Sequence, residues 1–135
     1  MNIQDCIFFQ LSKASQSGIR FWAGKISDCN VSPVQGLVLI SLAEEDRTTS
    51  AHLGQRVQLD SATLTGIIDR LEKSGLAERQ RNPDDRRAIL ICLTEKGRQV
   101  ADKIRGISET ANREFLSGLS EDEERILRAL LRRIR

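Results

Sequence analysis

The feature that most constrains this sequence is a pair of short helical patterns that only three residues separate. The first pattern covers residues 50–57 and follows Thr49, and the second follows Asp60; Thr and Asp are both favourable N-cap residues. Apolar side chains recur at helical spacing along the second pattern, at Leu64, Ile67, Ile68 and Leu71. Because the link Gln58-Leu59-Asp60 is so brief, the two patterns predict a helix-turn-helix.

A β-hairpin pattern follows the second of these helices directly. Lys73 falls in the last turn of the helix and Gly75 just beyond it, a favourable charge and a favourable stop. Extended patterns over residues 76–81 and 87–93 flank a turn-rich segment, Asn82-Pro83-Asp84-Asp85. Two short helices followed by a two-stranded hairpin predict a winged helix-turn-helix, in which the second helix lies in the DNA major groove.

Helical patterns also lie on both sides of this unit. A first helix is predicted over about residues 4–27, and a second begins with Ser32 as N-cap and Pro at the first helical position. The second helix is apolar almost all round, so we expect it at the centre of the core. Thr94 caps a long helix that ends near Leu116, and Ser120 begins a capping box for the last helix.

The chain of 135 residues has the size of one compact domain. We predict a mainly α fold with a small β-hairpin, a single domain over residues 1–135. Within it, residues 1–31 form an N-terminal dimerisation helix, 32–95 the winged helix-turn-helix, and 96–135 the C-terminal dimerisation helices. The first and last helices carry more apolar side chains than a small winged-helix core can cover, which independently favours a dimer.

The face of the second short helix opposite its apolar stripe carries the candidate DNA contacts. That face presents Ser61, Ala62, Thr63, Thr65, Gly66, Asp69 and Arg70. Small side chains let the helix backbone approach base edges, and the hydroxyl groups can donate or accept hydrogen bonds there. An ordinary amphipathic helix with a hydrated outer face has the same pattern, so the helix alone leaves both interpretations open.

The hairpin adds a second group of candidate contacts. Arg79 and Arg81 lie on its first strand, and Arg86 and Arg87 lie at its tip beside Asp85. A carboxylate that orients a guanidinium at the tip suits contact with the minor groove or with phosphate. A solvated charged turn is the alternative. Two adjacent elements that both suit DNA favour DNA binding over either alternative.

The charge balance and the cysteines limit the classes of protein further. Twenty-one Lys and Arg against nineteen Asp and Glu leave a formal charge of +2, so any contact with nucleic acid must come from a local patch. No apolar run approaches the ~20 residues that span a bilayer, and the N-terminus lacks the pattern of a signal peptide. Three widely spaced cysteines form no disulfide framework. We expect a soluble, reduced, cytoplasmic protein with no membrane partner.

Residues 59–97 resemble one known family. The stretch Leu59–Leu76 is similar to the recognition helix of MarR-type transcriptional regulators. Asn82–Arg87 and Leu93–Gly97 resemble the wing of that family and the start of its following helix. Flanking helices of the right length extend the resemblance over nearly the whole chain. The resemblance implies an obligate homodimer that binds a palindromic operator in double-stranded DNA and usually represses transcription.

The resemblance also assigns individual residues. It implies groove or backbone contacts for Ser61, Thr63, Thr65 and Arg70, and it matches Asp85 and Arg87 to a wing pair whose arginine enters the minor groove. One departure is Gln58, because many relatives have Gly in this turn and a left-handed conformation is less comfortable for Gln.

The position of Cys6 is similar to that of a reactive cysteine in one branch of the family. In the organic-hydroperoxide-sensing branch, a reactive cysteine lies in the first helix, and oxidation of its thiolate releases DNA. That branch uses tyrosines that hydrogen-bond the sulfur, whereas this chain has no tyrosine. Asp5 beside the thiol would disfavour the thiolate. A small buried cysteine in a dimer helix is the alternative.

The sequence does not favour an enzyme or a cofactor. His52 is the only histidine, and its spacing from the three cysteines matches no zinc finger or ribbon. We predict a repressor that a small aromatic or phenolic inducer releases from a palindromic operator. Trp22 is the aromatic candidate for the inducer site, and burial in the dimer core is the alternative role of this side chain. A thiol-based peroxide sensor that uses Cys6 is one alternative, and a winged-helix module for protein–protein contact without DNA binding is another.

Overall fold

The computed structural model describes residues 1–135, which form six α-helices and three short strands. In chain order these are α1 (Ile7–Lys25), α2 (Pro33–Glu44), β1 (Thr48–Thr49), α3 (Ser50–Val57), α4 (Ser61–Lys73), β2 (Ala77–Asn82), β3 (Asp85–Leu93), α5 (Glu95–Phe115) and α6 (Glu121–Arg133). The predicted fold class and the predicted order of four helices, a hairpin and two helices are confirmed.

The first helix is shorter than predicted because the chain is interrupted at both ends. Residues Ile3–Asp5 form a separate 3-10 turn, in which the Asn2 side chain accepts a hydrogen bond from the Gln4 amide. Cys6 is extended, and α1 starts only after it. At the other end, Ile26 leaves helical geometry where its side chain enters the core, and a second 3-10 turn follows at Ser27–Cys29.

The helix starts follow the predicted capping residues. Ser32 and Ser120 both form complete capping boxes. In the first box, the Ser32 hydroxyl accepts from the Gln35 amide over 3.2 Å, and the Gln35 side chain accepts from the Ser32 amide over 2.9 Å. Reciprocal bonds of this kind satisfy two backbone donors that a helix start otherwise leaves free. These local signals fix where α2 and α6 begin.

The hydrophobic core lies around α2, as its all-round apolar sequence predicts. Val38, Leu39 and Leu42 of α2 have no exposed surface. The core is completed by the apolar stripe of α4 and by residues of α3, α5 and β3, including Leu53, Leu64, Ile67, Ile68, Leu71, Ile91 and Ile104. Each fully buried Leu or Ile contributes about 1.5–3 kcal/mol, so this cluster holds α2, α3, α4, α5 and the hairpin together.

The sheet has three antiparallel strands in the order β1-β3-β2. The hairpin of β2 and β3 pairs Ala77 with Leu93 and Arg79 with Ile91, with an irregularity between Arg81 and Asn82. Its strands lie within two residues of the predicted bounds. The third strand, β1, has only two residues, and it pairs with β3 through Thr48 and Ile91. No sequence pattern predicted β1 because two residues carry no alternation.

The chain segments approach each other closely where β2 and α5 begin. Gly75, with φ +72°, turns the chain out of α4. The Thr94 amide then donates to the Leu76 carbonyl over 3.1 Å. Three residues after Thr94, in the first turn of α5, a Cβ atom at Gly97 would lie 1.8 Å from the Leu76 carbonyl oxygen. Only glycine fits at this crossing.

None of the helices combines the length and the apolar character that crossing a membrane requires.

Candidate nucleic-acid interface

The turn between α3 and α4 sets the position of α4. Gln58 ends α3 in the left-handed conformation, with φ 55°, and the Leu59 amide donates to the Gly54 carbonyl over 3.1 Å. Gln58 therefore adopts the left-handed conformation that the sequence predicted for this turn, a conformation that is less favourable for Gln than for Gly. Asp60 then caps α4. The apolar stripe of α4 is buried, so the opposite face of this helix is directed outward.

The outward face of α4 carries the predicted contact residues together. Ser61, Thr63, Thr65 and Arg70 are all exposed. Gly66 lies between them, and a Cβ atom there would meet no neighbour within 4 Å. A helix with a bare, hydroxyl-rich face of this kind can approach base edges in a major groove.

Thr63 has a second role that the sequence did not indicate. Its amide donates to Asp60 Oδ1 and its hydroxyl donates to Asp60 Oδ2, both over 2.8 Å. These bonds hold the pKa of the Asp60 carboxyl below its usual value, with the backbone bond as the largest cause and the hydroxyl bond next. The hydroxyl proton of Thr63 is therefore used at the helix start, and its oxygen remains an acceptor.

The hairpin tip carries the second group of predicted residues. Asp85, Arg86 and Arg87 are all exposed at the start of β3. The prediction that Asp85 orients the Arg87 guanidinium is wrong, because Asp85 Oδ1 accepts from the backbone amide of Arg87 over 3.0 Å. A short carboxylate side chain readily reaches an amide two residues on. Asp85 thus shapes the backbone of the tip and leaves the guanidinium free.

Arginines of this region differ in their ionic partners. Arg70, Arg81, Arg86 and Arg87 form no ion pair with any acidic side chain, whereas Arg79 on β2 is bound to Asp69 and Glu72 of α4. The unpaired guanidinium groups on α4 and on the hairpin can bind phosphate. Arg79, which the sequence analysis placed among the candidate DNA contacts of the hairpin, instead pairs with the carboxylates of α4.

Comparison with known proteins identifies this arrangement. A model of the MarR family matches residues 31–89. The transcriptional regulator SarZ of Staphylococcus saprophyticus is 33% identical over 112 residues, which cover 83% of this chain and 75% of SarZ. The organic hydroperoxide resistance regulator of Bacillus subtilis is 31% identical over 130 residues, covering 96% of this chain and 85% of that protein. The chain belongs to the MarR family of transcriptional regulators.

Solved MarR-type structures agree with the whole fold. A probable transcriptional regulator from Pseudomonas aeruginosa superposes with a TM-score of 0.91 at 33% identity, over 99% of this chain and all of that one. A MarR variant from Escherichia coli, solved in complex with operator DNA, superposes with a TM-score of 0.84 at 26% identity, over 93% of this chain and 90% of that one. DNA binding and transcription regulation are thus the function of this MarR-family chain.

Apolar side chains remain exposed on the terminal helices of this MarR-family protein. Near the N-terminus and on α1 these are Ile3, Ile7, Phe8, Leu11 and Ile19, and on α6 they are Ile126, Leu130 and Leu131, with Ile134 just beyond. The rest of α6 is strongly charged, with acidic residues in its first turn and Arg132 and Arg133 in its last. An uncovered apolar surface of this extent is unusual for a monomer.

The three cysteines of the chain are free thiols that differ in burial. Cys6 is half-buried between the first 3-10 turn and α1, so it precedes the helix in which it was predicted. Cys29 is also half-buried. Cys92 is buried in β3, and this burial raises the pKa of its thiol. His52 pairs with Glu45 over 3.1 Å and contacts none of the cysteines.

A cavity of about 380 Å³ lies between α1, α2 and α5. Three of the five aromatic side chains of the protein line it, Phe21, Trp22 and Phe115. The rings of Phe21 and Phe115 have centroids 5.3 Å apart, and the Trp22 indole nitrogen donates to the Pro33 carbonyl over 3.0 Å. The sequence suggested Trp22 alone, because residues from three separate helices form the rest of the cavity.

Proposed function

We propose that this MarR-family protein is a repressor that binds a palindromic operator as a homodimer and leaves it when an uncharged aromatic ligand binds. The observation that carries the proposal is the outward face of α4, with Ser61, Thr65 and Arg70 exposed and with unpaired arginines on the adjoining hairpin. The E. coli MarR structure with operator DNA supports the same use of the fold.

In this proposal each element of the interface has its own part. The α4 face, formed by Ser61, Thr63, Thr65 and Gly66, enters the major groove, and Arg70 binds the backbone of the duplex. Arg86 and Arg87 bind the minor groove or phosphate, where Arg is favoured in narrow A·T-rich segments. Asp85 contributes through the backbone of the tip. Phosphate contacts set position and affinity, whereas contacts to base edges set sequence preference.

A second copy of the chain is the occupant that we propose for the exposed apolar surface of α1 and α6. In this arrangement residues 1–31 and 96–135 form the dimer and residues 32–95 bind DNA. Two-fold symmetry presents the two α4 helices to two half-sites in opposite orientation. A symmetric dimer therefore reads a palindrome, with half-sites about one helical turn apart.

The cavity between α1, α2 and α5 is the proposed ligand site. Its lining includes no charged side chain, and Ser108 and Asn112 are its only polar residues. Two cations touch the lining, but each is already paired: Lys25, over the Phe21 ring, with Glu114, and Arg128, bonded to Asn112, with Glu124. Since burying an unpaired carboxylate costs several kcal/mol, a phenol fits this site better than an aromatic acid.

A related structure supports control by a ring compound, although that compound is an acid. BpsR of Bordetella bronchiseptica, 25% identical with a TM-score of 0.91 over 99% of this chain and 96% of that one, is described as regulated in DNA binding by 6-hydroxynicotinic acid. In our proposal the ligand favours a dimer in which the two α4 helices no longer match the half-sites. Coupling of this kind typically changes affinity about 5- to 150-fold.

The experiment begins with selection of a duplex from a random-sequence pool by the wild-type protein. Affinity for the selected duplex and for random duplex is then measured across a salt series, with 4-methylphenol or 4-hydroxybenzoate added. We expect a palindromic selected sequence, steep salt dependence, and release by the phenol at concentrations where the acid has no effect. Equal binding to both duplexes would overturn sequence-specific recognition, and equal release by the acid would overturn the charge argument.

Peroxide sensing through Cys6 is the second candidate function. The observation that favours it is the 31% identity to the organic hydroperoxide resistance regulator of B. subtilis. If Cys6 is the sensor, cumene hydroperoxide releases wild-type protein from the selected duplex, Cys6→Ser is resistant, and the control Cys29→Ser remains sensitive. Wild-type binding that is indifferent to the peroxide would exclude this function.

A further inference from the structure

Arg79 of β2 is bound by two carboxylates of α4. Its Nη1 atom lies 2.9 Å from Asp69 Oδ1 and also contacts Glu72 Oε1. The three side chains are 30%, 52% and 34% exposed, respectively, so water only partly surrounds them. We call Arg79, Asp69 and Glu72 the α4–β2 ion-pair cluster.

The cluster accounts for the presence of an acidic residue, Asp69, on the face of α4 that is proposed to bind DNA. Asp69 is exposed on the same side of α4 as Thr65 and Arg70, where an unpaired carboxylate would be repelled by phosphate groups. Arg79 supplies the opposite charge, so the cluster is less repulsive than its two carboxylates alone. Arg81, two residues further along the same side of β2, has no acidic partner and provides a direct comparison.

The cluster joins α4 to the middle of the hairpin. Arg79 lies opposite Ile91 near the middle of the β2–β3 ladder, and the tip with Arg87 extends beyond it. Only Ser74, Gly75 and Leu76 connect α4 to β2, and Gly75 is a conformationally permissive residue. The ion pairs add a polar attachment between helix and hairpin to the apolar one that the buried Ile67, Leu71 and Ile91 provide in the core. On the opposite face of β2 from Arg79, Gln80 Oε1 accepts a hydrogen bond from Arg47 Nη1 over 3.0 Å.

We propose that Arg79 is a positioning residue that holds the hairpin at a fixed angle to α4, so that both elements engage one duplex at the same time, and that it makes no contact with DNA itself. This inference rests on the proposed DNA recognition by α4 and the hairpin. Two linked contact surfaces bind together far more tightly than separately when their geometry is fixed correctly. The cluster therefore sets sequence-specific affinity rather than general attraction to DNA.

The first test compares Arg79→Met with the matched control Arg81→Met on the selected duplex and on random duplex across a salt series. Arg79→Met is expected to weaken binding to the selected duplex about tenfold, as joint engagement is lost. Binding to random duplex should weaken by a smaller factor, because Asp69 and Glu72 are then uncompensated. No phosphate contact is lost, so the salt slope should not fall by one. Arg81→Met, if Arg81 binds phosphate, weakens both and reduces the slope by about one. A slope reduced by one in Arg79→Met would overturn the proposal and make Arg79 a phosphate contact.

A second variant separates positioning from charge. Asp69→Ala/Glu72→Ala removes two negative charges and frees Arg79, so charge alone predicts tighter binding to every duplex. The proposal instead requires weaker binding to the selected duplex. Alanine has a high helix propensity, so the double substitution does not disturb α4 itself. Arg79→Lys retains the charge but reaches fewer oxygens, so its binding to the selected duplex is expected to lie between that of wild type and that of Arg79→Met. Tighter binding of the double variant to the selected duplex would overturn the proposal.

Hydrogen exchange of the free protein makes the test independent of DNA. In Arg79→Met, amides of β2 and β3 near the tip are expected to exchange faster, while buried amides of α4 keep their protection. Unchanged exchange in the hairpin would overturn the positioning role. If wild-type protein fails to prefer any selected duplex, the proposed DNA recognition fails, and the exchange result still decides whether the cluster holds the hairpin.

Discussion

The carboxylate of Asp60 accepts two hydrogen bonds from Thr63, one from the amide and one from the hydroxyl, each over 2.8 Å. Both bonds favour the ionised carboxylate, which is why the pKa of Asp60 lies below its ordinary value of 3.8. The start of α4 is therefore stabilised by a carboxylate that both caps the helix and interacts favourably with the positive end of the helix dipole.

Acid is expected to remove this stabilisation. Since the pKa of Asp60 is lowered by folding, its contribution is complete well above pH 3.8 and is lost as the pH falls through the lowered value. Asp60→Ala should be less stable than wild type at pH 7, and the difference should shrink below pH 3.8. Urea unfolding at fixed protein concentration and several pH values measures it. Asp84→Ala, whose carboxylate makes no hydrogen bond, serves as control; an equal pH-dependent difference there would contradict the assignment.

Thr65 and Thr63 are expected to respond differently to loss of the hydroxyl. Thr65 is exposed and its hydroxyl has no partner within the protein, so Thr65→Val should change preference among operator variants and leave stability nearly unchanged. Thr63→Val also removes a bond to Asp60, so it should lower the unfolding temperature as well. Thermal unfolding and binding to single-base variants of the selected duplex distinguish the two. Identical behaviour of both variants would contradict this division.

The hairpin tip offers a test with opposite signs. Arg87→Ala should weaken binding by about 1–3 kcal/mol and flatten the salt dependence. Asp85→Ala should also weaken it, because the backbone bond that shapes the tip is lost, although removal of an acid near DNA would by charge alone strengthen binding. Titrations of both variants across a salt series give the answer. Tighter binding by Asp85→Ala would identify the tip as a solvated turn.

Charge placed on α6 should dissociate the proposed dimer. Leu130 is 49% exposed and belongs, with Ile126 and Leu131, to the exposed apolar side chains of α6. Leu130→Glu is expected to give a folded monomer at micromolar concentration and to abolish binding to a palindromic duplex. Ala129→Glu, one position away and also exposed, is the control that adds the same charge. Sedimentation velocity checks both, and a wild-type monomer would rule out two-fold recognition of a palindrome.

The left-handed turn between α3 and α4 predicts a gain in stability from a single change. Gln58 has φ 55°, and a non-glycine residue in this region costs roughly 1–2 kcal/mol, part of which the greater freedom of unfolded Gly offsets. Gln58→Gly should therefore raise the free energy of unfolding by about 0.5–1 kcal/mol. Gln99→Gly, at an exposed position in the second turn of α5, should lower it by about 1 kcal/mol. Denaturant unfolding compares the two, and destabilisation by Gln58→Gly would contradict the strain.

Local signals were the reliable part of the sequence. The capping residues Ser32, Thr49, Asp60, Thr94 and Ser120 all cap the helices predicted for them, because each acts within three residues of its own position. The outward face of α4 followed from helical periodicity in the same way.

Contacts between distant residues could not be predicted. Asp46 accepts from the Leu93 amide over 2.9 Å and from Arg98 over 2.9 Å, partners 47 and 52 residues away. The ionic partners of Arg79 are likewise invisible in the sequence, where it reads as one of several hairpin cations. Such pairings depend on how the helices and the hairpin pack, and no spacing rule encodes that packing.

The crossing of α5 over Leu76 has a genetic consequence. Every amino acid other than glycine at position 97 places an atom against the Leu76 carbonyl oxygen, which is backbone and cannot turn aside. Any missense change in that codon should therefore inactivate the protein. In a reporter screen for cells that have lost regulation by this protein, independent isolates altered at codon 97 are expected to recur, while silent changes in the same codon are not.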